Sequence, residues 1–148
     1  MSFKDIKYFQ KYVSTSISKY NSNPQAFLES DIRSIFSRAY YTIFLHCRDE
    51  LGLEYDTQLS IHAEVKKQIQ NERIQKLFHS YHEKRKKMDY NNVSIDMGNI
   101  GKLTSELKAI ERDMNYILNL NKDQLYRTWL YLFRSFQIII GYRFSFMV

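Results

Sequence analysis

Chain breakers are scarce in this sequence, with one proline and four glycines in 148 residues. A β-sandwich or barrel needs a turn signal about every ten residues, so long helices suit the chain better. Apolar side chains bear this out by recurring at three- and four-residue steps. Ile6, Phe9, Val13, Ile17 and Tyr20 predict a helix over Phe3–Tyr20. Asn21–Pro24 breaks it, and Asn23 with Pro24 reads as the start of the next helix. That second helix is expected to run from about Pro24 to Leu51 and to stop at Gly52. Arg38 falls among Phe36, Ala39 and Tyr40, a setting in which a partly buried guanidinium needs an acceptor.

After a connection over Gly52–Ser60, a third helix is expected over Ser60–Gln70, with His62, Val65 and Ile69 on one side. Asn71 marks a bend, and Ile74, Leu77 and Phe78 carry an apolar stripe onward to Tyr90. The pattern leaves open whether these are two helices or one kinked element. Val93–Ile100 reads as a loop, with Gly98 and Gly101 as breakers. Leu103, Leu107, Ile110, Met114, Ile117 and Leu118 then give the cleanest repeat in the chain, a fifth helix over about Lys102–Leu120. The expected fold class is all-α, an up-and-down bundle of about five helices over residues 1–122.

Residues 123–148 are expected to be an extension. From Trp129 to Val148 the chain is almost continuously apolar, but Arg134, Gln137 and Arg143 interrupt it at a cost too high for a bilayer span. A helix buried in a dimer or against a partner is the leading expectation, and a strand-like end at Gln137–Phe146 is the other. Met1 leads into charged residues rather than an apolar signal core, so a cytoplasmic location is expected. The lone Cys47 excludes an intrachain disulfide. A formal charge of +6 suits an anionic partner, nucleic acid first.

The chemistry concentrates between His79 and Tyr90. On a helix, His82, Arg85 and Asp89 share one face, while His79, His82, Lys86 and Tyr90 share the neighbouring one. A guanidinium, imidazoles, a carboxylate and a phenol are the groups needed to bind a phosphate and move protons beside it. The competing reading is a solvated basic face with an internally satisfied Arg–Asp pair. His79 and His82 have metal-ligand spacing, but two ligands without nearby carboxylates are too few, so neither a metal nor a cofactor is expected.

Three segments in order carry a family resemblance: Ser37-Arg38-Ala39-Tyr40-Tyr41, His62-Ala63-Glu64-Val65, and Arg85-Lys86-Lys87-Met88-Asp89-Tyr90. Together, over roughly residues 25–120, they resemble the small bacterial and archaeal members of the HEPN superfamily. The resemblance implies a helical bundle that dimerises with its motif helices along a shared cleft. It also implies either a metal-independent ribonuclease of toxin–antitoxin or antiviral defence systems, or a non-catalytic module. Arg38 and Tyr41 match the first motif, and Arg85, Asp89 and Tyr90 the last, where Met88 stands in place of the usual alanine. The histidine often found four residues after the second motif tyrosine is replaced by Leu45, with His46 next to it. No histidine follows Arg85, where nuclease members carry one, which leaves His82 to take that role from one turn earlier.

On this reading a ribose 2′-hydroxyl attacks the adjacent phosphate. His82 serves as base or acid, Arg85 clamps the phosphate, and Asp89 orients either group. Arg38, Arg48, Lys84, Lys86 and Lys87 supply RNA-backbone contacts, and Tyr41 and Tyr90 stack on unpaired bases. The alternative is a non-catalytic subunit docking a nucleotidyltransferase or larger defence complex. A third reading is an antitoxin subunit. His62 reads as an interface or capping residue.

Overall fold

The computed structural model describes residues 3–53, 61–90 and 94–126. Among them lie six α-helices and no strand: α1 (Phe3–Ser22), α2 (Glu29–Glu50), α3 (Ile61–Gln68), α4 (Glu72–Tyr90), α5 (Ile100–Leu118) and α6 (Lys122–Tyr126). The described chain is therefore all-α. Helix α1 buries Ile6, Val13, Ile17 and Tyr20, four of the five positions its periodicity marked, and Phe9 is partly buried against them.

The second helix does not run unbroken from Pro24. Pro24–Ala26 form a single 3-10 turn, the Asn23 side chain makes no cap bond, and Phe27 is extended. The Phe27 ring packs edge-on against Tyr20 at 5.4 Å, a contact that favours the extended chain over another helical turn. Helix α2 starts where the Asp31 carboxylate accepts the Leu28 amide at 2.8 Å. It ends at Gly52, whose φ of 68° is the left-handed conformation glycine tolerates. There Leu53 N–H donates to the Arg48 carbonyl at 3.0 Å and Gly52 N–H to Asp49 at 3.1 Å, which closes the last turn.

Helix α2 is central, packed by α1, α4 and α5. Every residue from Thr42 to Arg48 is buried, as expected of a helix enclosed on all sides. The polar side chains Thr42, His46 and Arg48 in that run each make a hydrogen bond. Thr42 Oγ1 donates to the Arg38 carbonyl at 2.8 Å, His46 Nε2–H donates to the Leu120 carbonyl at 2.9 Å, and Arg48 Nε donates to Asp49 at 2.8 Å.

Helices α3 and α4 are separate, because the Asn71 side chain caps α4 by accepting the Arg73 and Ile74 amides at 3.1 and 3.3 Å. The junction is sealed by α6. Gln70 and Asn71 amides donate to the Leu125 carbonyl at 3.1 and 3.0 Å, and the Leu125 side chain is fully buried. Residues 123–126 thus pack with the helices before them. The apolar stretch Trp129–Val148 lies outside the described residues, as does most of the Gly52–Ser60 connection. No described helix is long and apolar enough to cross a membrane. Helix α4 is also tied to α5 by the Tyr81 hydroxyl, which donates to Asp113 at 2.6 Å in a buried setting.

Candidate functional site

The last two turns of α4 lie against the middle of α2, and Arg85 is the hub of their contact. Its Nη2 donates to the Tyr41 hydroxyl at 2.8 Å and to the Tyr90 hydroxyl at 3.1 Å. Its Nε lies 2.7 Å from Asp89 Oδ2. The same carboxylate oxygen accepts the Ser37 hydroxyl at 3.2 Å. The guanidinium carbon also sits 5.1 Å from the Tyr41 ring centre and 4.9 Å from that of Tyr90. Burial opposes its charge, but the two phenols and Asp89 outweigh that and hold its pKa above the usual value. Arg85 and Asp89 therefore meet as their i, i+4 spacing requires, while Tyr90 joins them rather than the neighbouring face.

Behind this hub is a stack of rings. Tyr40, fully buried, lies nearly parallel to His82 at 5.2 Å and 18°. His62, delivered by α3, lies parallel to His82 at 5.4 Å and 9°, and its Nδ1 is 2.7 Å from the Tyr40 hydroxyl. Phe44 backs the His62 ring at 4.1 Å. Burial, and then the neighbouring basic groups His82 and Arg85, push the His62 pKa down to about 4. Burial and the Lys86 charge push His82 down too, so both imidazoles are neutral at pH 7. His62, read from sequence as an interface or capping residue, lies beside the Arg85 hub. Only its place in an ordered motif hinted at this.

The remaining expected site residues scatter. Among the described residues Arg38 finds no carboxylate acceptor; its guanidinium lies over the Tyr12 ring at 4.3 Å and near Phe9 at 5.6 Å. It lines an open groove of about 590 Å³ shared with Ser37, Met88 and Asp89. Arg48 is buried beside Asp49, where no RNA backbone reaches it without rearrangement. Lys84 is held by Glu106 at 2.7 Å over the Phe36 ring. Lys86 pairs with Glu83 at 3.1 Å. Lys87 is exposed and lines a second groove of about 650 Å³ between α4 and the start of α5. His79 faces Lys66 at 3.2 Å while His82 faces Tyr40, and no group of three potential metal ligands occurs among the described residues. His46 holds the end of α5 and takes no part in the cluster.

No protein-family model, curated protein or solved structure matches this chain.

Proposed function

We propose that this chain is a HEPN-like helical protein that binds single-stranded RNA at the Arg85 hub and cleaves it by metal-independent transesterification. The observation that carries the reading is the convergence of Arg85, Tyr41, Asp89 and Tyr90 beside the neutral imidazole of His82. Arg85 supplies a fixed positive charge for a phosphate that gains charge as the 2′-oxygen attacks. His82, neutral at pH 7, is in the form that accepts the 2′-hydroxyl proton. Tyr90 is 70% exposed and offers its outer face to an unpaired base. The helices assemble as an up-and-down bundle, two copies pair along the α4 face, and the protein acts as a toxin-type ribonuclease in a defence setting.

A second reading is supported by the same hub. Arg85 Nη2 already donates to two phenols and the guanidinium is paired with a carboxylate, as in a module that only binds. In that case the chain docks a nucleotidyltransferase or another defence protein and leaves RNA intact.

The test is incubation of the purified protein with total RNA in EDTA, with Arg85→Ala and His82→Ala alongside. Cleavage by the native protein that both variants lose supports the nuclease. Intact RNA with all three folded proteins overturns it in favour of the docking module.

A further inference from the structure

His62 and Tyr40 form a pair whose hydrogen bonding has a defined direction. Tyr40 is fully exposed to no solvent, and its hydroxyl has His62 Nδ1 as its partner at 2.7 Å. Were the imidazole to donate from Nδ1, the phenolic O–H would be left buried without an acceptor, which costs about 1–3 kcal/mol. The lower-energy arrangement has Tyr40 donating and His62 Nδ1 accepting. Burial keeps the phenol protonated, which agrees with that direction. The remaining proton of neutral His62 must then sit on Nε2.

The ring is also fixed in place. Phe44 backs it at 4.1 Å and His82 lies parallel at 5.4 Å. The Tyr41 ring, whose hydroxyl binds Arg85, is edge-on to it at 6.3 Å. The groups that face His62 are Tyr40, Tyr41 and Phe44 from α2 and His82 and Arg85 from α4, with no carboxylate among them. Among the described residues nothing nearby stabilises an imidazolium, and two basic groups, His82 and Arg85, oppose one. A neutral imidazole with its tautomer locked is a hydrogen-bond donor that carries no charge, suited to an oxygen that becomes negative during a reaction.

We propose that Tyr40 locks His62 as the Nε2–H tautomer, and that this neutral N–H is a second donor, beside Arg85, to a non-bridging phosphate oxygen. The assignment rests on the nuclease reading for its role in catalysis, but the tautomer and the phosphate contact are tested without it. His82 remains the proton-transfer group, and His62 moves no proton.

The experiment is long-range ¹H–¹⁵N NMR of the full chain, with His62 assigned by its absence in His62→Gln. The expected spectrum shows a protonated Nε2 and an unprotonated Nδ1, unchanged between pH 6 and 8, with tautomers mixed in Tyr40→Phe. Added inorganic phosphate should shift the Nε2–H signal in the native protein and leave it unmoved in Arg85→Ala. An Nδ1–H tautomer, an imidazolium at pH 7, or no response to phosphate would each overturn the proposal. If the native protein cleaves an RNA oligonucleotide, His62→Ala should lower the rate by about 10²-fold, the usual effect of losing one such donor. His62→Gln, which keeps an N–H at the same reach, should recover most of it. Equal rates in all three folded proteins would overturn the donor role. Absence of cleavage by the native protein would instead remove the nuclease reading and leave the NMR result to decide the phosphate site.

Discussion

The Arg85 guanidinium and the Tyr41 hydroxyl meet at 2.8 Å, although 44 residues separate them in the chain. That contact joins α2 to α4 at the point where both carry polar groups, and the Arg85 side chain is only 12% exposed there. A planar fork reaches both phenols and Asp89 at once, whereas an ammonium cannot match that geometry. If the chain cleaves RNA as proposed, Arg85→Lys is expected to lower the rate by at least about 10²-fold while retaining helical content. Gel-based cleavage alongside circular dichroism checks this, and near-native activity in Arg85→Lys would show that charge alone suffices.

Stability should depend on pH through His62. Its pKa falls from an ordinary 6.5 to about 4 on folding, so between those values the unfolded chain binds more protons than the folded one. The contribution is present above about pH 6.5 and is lost as pH falls towards 4. Because water still reaches part of the ring, about 1–2 kcal/mol is expected rather than the full value of the shift. Urea midpoints from pH 7 to 4 should fall, and His62→Gln should flatten the dependence in that window. An unchanged slope in the variant would assign the acid sensitivity to other groups.

His46 is the buried histidine whose role is structural. Its Nε2–H satisfies the Leu120 carbonyl at 2.9 Å, so His46→Ala leaves that carbonyl without its donor and opens a void. A loss of about 2–4 kcal/mol is expected, with faster hydrogen exchange at the end of α5. Chemical denaturation and exchange measurements test it. Any RNA cleavage by the native protein should be unchanged in the variant at a temperature where it is folded.

Gly52 tests the backbone alone. A Cβ there meets none of the described residues within 4 Å, and the left-handed φ of 68° opposes Gly52→Ala. The expected cost is about 1–2 kcal/mol. A neutral result would mean that the α2 terminus relaxes to another turn.

Much of the helical layout was legible in the sequence, because helix formation reads local signals. The α1 and α5 stripes, the Gly52 stop and the Asn71 bend all lie within a few residues of what they determine. The break at Phe27 was not legible, since it depends on a ring contact with Tyr20 that competes with the Pro24 helix start. The candidate site divides in the same way. Arg85 and Asp89, four residues apart on one helix, were brought together by periodicity alone. Which arginines would remain accessible was not, because burial is set by how helices enclose one another: Arg48 is enclosed along with the rest of that stretch of α2, while Arg38 lies on rings from α1. The place of His62 is the clearest case. Nothing local in α3 indicates that its imidazole meets the Tyr40 hydroxyl and lies parallel to His82. Helical spacing fixes which side chains share a face, but only the packing of α2, α3 and α4 decides which faces meet.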